Sequence, residues 1–214
     1  MASAGRPITI IGLVLALVGL AALAPKLRSA APAEGRYPDA PGAVRYDSTA
    51  SATDRSIVEG ALARARPEAR AALAPVLGNV IVSIGSPAPG VAGETRWKDG
   101  RFTMELNLGL VYQMLGTKGT DRLVLHEFGH VVDVARTPPD VDLALDKETP
   151  RGYGCKDGVN GACAVPRERF AEGFSKWATG DIGAQAGAVL GYQILPPSDL
   201  ERWGRDLTAG IKRP

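Results

Sequence analysis

Arg122-Leu123-Val124-Leu125-His126-Glu127-Phe128-Gly129-His130-Val131-Val132-Asp133 is the stretch on which the reading of the whole chain turns. Residues four apart on an α-helix share a face, with Cβ atoms roughly 5–6 Å apart. His126 and His130 can therefore reach one ion, each nitrogen about 2.0–2.1 Å from a zinc. Glu127 can hydrogen-bond a water at that ion without occupying it, which is the logic of the His-Glu-x-x-His signature. His126 and His130 are the only histidines of the chain. The plain alternative is a chance match on an amphipathic helix whose histidines are capped or solvated. A purely structural helix has little reason to place both histidines one turn apart with Glu between them. Leu123, Val124, Phe128, Val131 and Val132 supply the apolar side of a buried helix. Lys118-Gly119-Thr120 predicts a break before it, with Thr120 as N-cap. Gly129 either leaves space beside the ion or lets a neighbouring element come close.

Two histidines do not complete a site, because a catalytic zinc usually has three protein ligands and a water. The extended metzincin pattern would need Gly at 133 and His or Asp at 136. Asp133 and Arg136 stand there instead, which excludes that class. Asp133 reads as a supporting or helix-end carboxylate rather than a ligand. Downstream, the segment from Val165 to Trp177 predicts a helix opened by Pro166. Phe170, Phe174 and Trp177 fall on one face, Glu168 and Glu172 on another. Read plainly, this is an amphipathic helix with a solvated charged face. Read functionally, one glutamate binds the metal and the other accepts a hydrogen bond from a ligand imidazole, fixing its orientation.

HEFGHVVD followed by ERFAEGF resembles the lethal-factor-like group of gluzincin metallopeptidases, over about Asp121 to Ala178. The resemblance implies that Glu168, the first Glu of the second helix, is the third zinc ligand. Glu172 then stands behind the ligands. In that family a tyrosine of a Tyr-Gly pair assists the oxyanion, and Tyr153-Gly154 matches it here, with Tyr192 in reserve. The spacing from Tyr153 to Glu168 is longer than in the family and carries two cysteines. Those cysteines, Cys155 and Cys163, are the only ones in the chain. Outside the cytoplasm they would pair, closing a small loop worth roughly 2–3 kcal/mol on a chain-entropy argument. The bridge would also shorten the effective span toward the family's spacing.

Ile8 to Ala24 is an uncharged apolar run after Arg6. It reads as a secretory signal or a short membrane anchor. Ala22-Leu23-Ala24 resembles a cleavage site, but Pro25 would hinder the cut, which favours the anchor. The chain thus divides into a signal or anchor (1–25), an Ala/Pro-rich linker (26–43) and a folded domain (44–214). Within the domain, Thr53 or Asp54 caps a first helix with Ile57, Val58, Ala61 and Leu62. Pro67 interrupts it or starts a second helix, which Pro75 ends. Asn79 to Ile84 predicts a strand. Glu94–Trp97 and Arg101–Leu108 flank Lys98-Asp99-Gly100, a hairpin signal. An exposed strand beside the metal helix could bind a peptide by strand addition, although periodicity alone favours an ordinary half-buried strand. Asp181 to Leu190 reads as helical, and Ser198 caps a last helix with Leu200, Trp203 and Leu207 as its stripe.

With 45% hydrophobic and 22% charged residues, the 214-residue chain has material for one sizeable core. A formal charge of +2, with no basic run or basic–aromatic interleaving, points away from nucleic acid. The expectation is an α+β, zincin-like domain with a small sheet, holding Zn2+ through His126, His130 and Glu168. Its activity would be hydrolysis of a peptide or protein substrate outside the cytoplasm, membrane-anchored or secreted. The competing expectations are a non-catalytic, zinc-stabilised binding domain on a membrane stalk, and a zinc-free adhesion domain.

Overall fold

The fold was taken from a computed structural model of the chain, which describes residues 39–89, 91–150, 165–181 and 197–212. Tyr153, Tyr192, Cys155, Cys163, the apolar run at 8–24 and most of the stretch at 181–190 lie outside these residues. Among the described residues no helix is long and apolar enough to cross a membrane.

The elements run β1 (Arg45–Tyr46), α1 (Ala52–Arg64), α2 (Pro67–Leu73), a short 3-10 turn (Leu77–Asn79), β2 (Val80–Ile84), β3 (Gly93–Lys98), β4 (Arg101–Leu106), α3 (Leu108–Arg136), α4 (Pro139–Glu148), α5 (Pro166–Thr179) and α6 (Leu200–Ile211). This is a mixed α+β arrangement with a four-stranded sheet ordered β1-β2-β4-β3. β2 pairs in parallel with β1 and β4, and β3 pairs antiparallel with β4. The Asp99-Gly100 turn joins β3 to β4 with both residues at positive φ, 51° and 74°, as a two-residue hairpin turn of this hand requires. Strand period puts Phe102, Met104 and Leu106 on one face, and all three are fully buried. Their register partners Val80 and Val82 on β2 join the same core, while Gly93, Thr95 and Trp97 face the same way from β3. β3 is the sheet edge that borders the cleft described below.

Several local expectations are corrected. The cap of α1 is Ser51, whose hydroxyl accepts from the Asp54 N–H, and Asp54 returns a bond to the Ser51 backbone. Asp54 is thus the third residue of a capping box rather than the cap. Helix α3 starts at Leu108 under an Asn107 cap, so β4 ends at Leu106 and not at Leu108. The break before the histidines lies at Gly116 (φ 64°, ψ −159°), two residues ahead of Lys118. Only glycine adopts that backbone freely. Thr120 caps nothing: its hydroxyl donates to the Thr117 carbonyl at 2.8 Å. The cap of α6 is Asp199, which accepts from the Arg202 N–H, one residue past Ser198. Helix α4 was not anticipated. Ala40, in the stretch read as linker, exchanges backbone hydrogen bonds with Pro75 and Gly78.

α5 begins with Pro166, where the missing N–H costs nothing. It is not the half-solvated helix of the plain reading, because every residue from Arg169 to Ala178 is buried. Phe170 and Trp177 pack onto Trp203 of α6, and Phe174 packs edge-to-face on Trp177, with ring centroids 5.4–6.3 Å apart. The opposite face lies against α3, its most extensive helix neighbour. Gly129 decides how close the two come. A Cβ there would stand 2.8 Å from the Ala171 Cα. Of the two roles open to Gly129, close approach of a neighbour is the one observed.

Candidate metal centre

The close α3–α5 crossing sets the carboxylate of Glu168 opposite the two imidazoles. The Nε2 atom of His126 lies 3.2 Å from Glu168 Oε2, and Nε2 of His130 lies 3.5 Å from Glu168 Oε1. One donor atom from each of the three residues falls within 4.8 Å of the others, a group that could hold a metal ion. Donors at about 2.0–2.1 Å around a tetrahedral ion stand about 3.3–3.4 Å apart. The two histidine–carboxylate separations, each to a different oxygen of Glu168, lie near that edge length, and two imidazoles with a carboxylate are a donor set such an ion accepts. The two imidazole rings stand nearly perpendicular, centroids 5.0 Å apart.

Behind these three residues lies a buried ionic cluster. Glu172 Oε2 is 3.3 Å from Nδ1 of His126. Its other oxygen accepts from Arg122 and from Lys176 Nζ, the latter at 3.1 Å. All four residues are buried. Burial alone would raise the Glu172 pKa, but the bond to His126 and the charges of Lys176 and Arg122 outweigh it and bring it down to about 2. Glu172 is therefore a fixed anion. An anion at Nδ1 orients the ring so that Nε2 faces the Glu168 carboxylate. Burial opposes a charged His126, but its bonds to Glu168 and Glu172 hold the pKa up to about 10. His130 goes the other way, to about 4, through burial and then the neighbouring His126.

Glu127 lies beside this group and is 3% exposed. Thr95 on β3 donates its hydroxyl to Glu127 Oε2 at 2.8 Å. A Cβ at residue 93 would meet Glu127 Oε1 at 2.5 Å, so Gly93 leaves room for the carboxylate. Burial raises the Glu127 pKa to about 6, with His126 and Thr95 pulling the other way. A cleft of about 330 Å³ opens in front, walled by Thr95 and Trp97 of β3, Leu115 and Leu123 of α3, and Arg167 at the start of α5.

Asp133 is buried and is not part of the three-residue group. Burial, then the neighbouring Asp142, raises its pKa to about 7. Sequence reasoning missed Thr95, Arg122, Lys176 and Arg167. Arg122 and Lys176 had a visible signal, since each lies four residues from a site residue on the same helical face, His126 and Glu172 respectively. Thr95 had none, because it arrives through sheet register. The chain matches no protein-family model, no characterised protein and no solved structure.

Proposed function

We propose that the domain is a zinc-dependent metallopeptidase of gluzincin type on a zincin-like fold. The observation that carries this reading is the meeting of His126, His130 and Glu168 beside a buried Glu127 that is outside that group and lines the same cleft. His126, His130 and Glu168 would hold the ion. When bound, zinc supplies Lewis acidity, polarising a scissile carbonyl and bringing the pKa of a water toward about 7. Glu127 takes the proton of the attacking water and returns it to the leaving amine. The Thr95 hydroxyl holds the Glu127 carboxylate in one rotamer, and Glu172 fixes the His126 ring. A substrate chain extended along the β3 edge would present its backbone to this base by strand addition. Tyr153, or Tyr192 in its place, is the proposed oxyanion donor. The disulfide and the location outside the cytoplasm rest on the cysteine pair and the N-terminal apolar run.

The test uses the full-length protein. Zinc should bind at about one ion per chain, and a peptide library should be cleaved. Glu127→Gln should abolish cleavage while keeping the ion, and Glu168→Ala should lose both. Undiminished cleavage by Glu127→Gln would overturn the mechanism. An ion held with no cleavage of any peptide would favour the non-catalytic, zinc-stabilised binding domain.

A further inference from the structure

Two arginines line the cleft, and they are held differently. Arg122 is buried and paired with Glu172. Arg167 is exposed, its guanidinium lying over the Trp97 ring at 4.6 Å from the centroid. Among the described residues no carboxylate forms an ion pair with Arg167, whereas Arg64, Arg66, Arg96, Arg136, Arg169 and Arg202 each have one. Stacking uses the flat face of a guanidinium and restricts the side chain. A guanidinium held over a ring face in this way keeps N–H donors at its edge, and two of them can meet a carboxylate in parallel bonds. Two acids of the cleft wall are engaged elsewhere: Glu94 is paired with Arg96 at 2.5 Å, and Glu168 faces the histidines. The Arg167 charge also reaches Asp133 and Asp142, but neither forms an ion pair with it among the described residues.

We propose that the Trp97-stacked Arg167 is a specificity determinant of the cleft, binding a carboxylate of the peptide substrate. This rests on the metallopeptidase reading and adds the substrate's chemistry to it. The strand supplies the scale. Thr95 touches the base Glu127, and Trp97 is two residues further along β3 on the same face. At about 3.3 Å per residue, Arg167 is anchored about 7 Å along the strand from Thr95. A peptide extended beside β3 has the same rise. The carboxylate it offers therefore belongs within about two residues of the scissile bond. Two sources share this chemistry: an Asp or Glu side chain, and the free C-terminus of a short substrate.

The experiment measures binding, with hydrolysis removed. Full-length, zinc-loaded Glu127→Gln protein is titrated calorimetrically with matched peptides derived from library members that the wild type cleaves. One arm exchanges Glu for Gln at each position near the cleavage point, with amidated ends. The other compares free with amidated C-termini in peptides lacking acids. In one arm the carboxylate form should bind roughly tenfold to a hundredfold tighter. Adding Arg167→Gln should collapse that ratio to near one, and Arg167→Lys should keep only part of it. Arg167 is exposed, so neither change removes a core contact. A ratio near one in both arms, or one that survives Arg167→Gln because the ion itself takes the carboxylate, overturns this inference and leaves the peptidase reading standing. If no peptide binds and the wild type cleaves nothing, the peptidase reading fails and this inference with it.

Discussion

Replacing Glu127 by Gln in the metal-free protein should stabilise the fold at neutral pH, and the gain should vanish as the pH falls. The carboxyl is buried, and its pKa is raised from 4.5 to about 6. Between those values the folded chain keeps a proton that the unfolded chain has released. Stability therefore falls as pH rises through this window. Once Glu127 is fully ionised the cost is about 2 kcal/mol, at about 1.36 kcal/mol for each pH unit between the folded and unfolded values. Glutamine has nearly the same volume and keeps an oxygen to accept the Thr95 hydroxyl, but carries no charge. Urea unfolding of chelator-treated wild type and Glu127→Gln at pH 4, 5.5 and 7.5 should give a difference near zero, then intermediate, then about 2 kcal/mol. In a thermal melt at pH 7.5 the variant should gain about 4–8 °C, from about 2–4 °C per kcal/mol for a domain of this size. Zinc should shrink the gain, since a cation beside a carboxylate favours its ionised form. A variant no more stable than wild type at pH 7.5, or a gain that grows toward acid, would refute the assignment of Glu127 as a buried, desolvated base.

Three further perturbations probe the scaffold. Glu172→Ala removes the buried anion shared by Arg122 and Lys176 and should cost about 3–5 kcal/mol in urea unfolding; a loss below about 1 kcal/mol would show the cluster to be solvated. The same variant should weaken zinc binding about 10–100-fold by losing the anion at Nδ1 of His126, as read by competition with a chromophoric chelator. Gly129→Ala drives a methyl toward the Ala171 backbone and should destabilise by about 1–3 kcal/mol, with weaker zinc binding as α5 is pushed from α3; unchanged affinity would mean that the crossing is loose. Asp133→Asn removes a carboxyl whose pKa rises from 3.8 to about 7 on folding. The sign is that of Glu127, so its melting temperature should exceed the wild type's at pH 8 and match it near pH 3.5, and the reverse order would exclude a buried carboxyl there.

The histidine spacing, the intervening Glu127 and the Pro166-opened helix could be read without coordinates, because helical period is a local property. So could the Asp99-Gly100 turn and the buried side of β4, which depend on neighbouring residues alone. Cap positions were misjudged by a residue or more. Several hydroxyl and carboxylate residues cluster at each helix start, and which one turns its oxygen toward the free N–H groups depends on the path of the incoming chain. The character of α5 was beyond local reading. Its glutamates look solvated until α3 is laid against them across Gly129, and only then do they become a ligand candidate and a buried anion. Thr95 and Trp97 reach the site through pairing of β3 with β4, and Arg167 through the placement of α5 beside that strand. Sequence alone determined which side chains are equipped for metal chemistry. Tertiary structure decided which of them share one point in space, because burial and long-range contact arise only when separate elements pack.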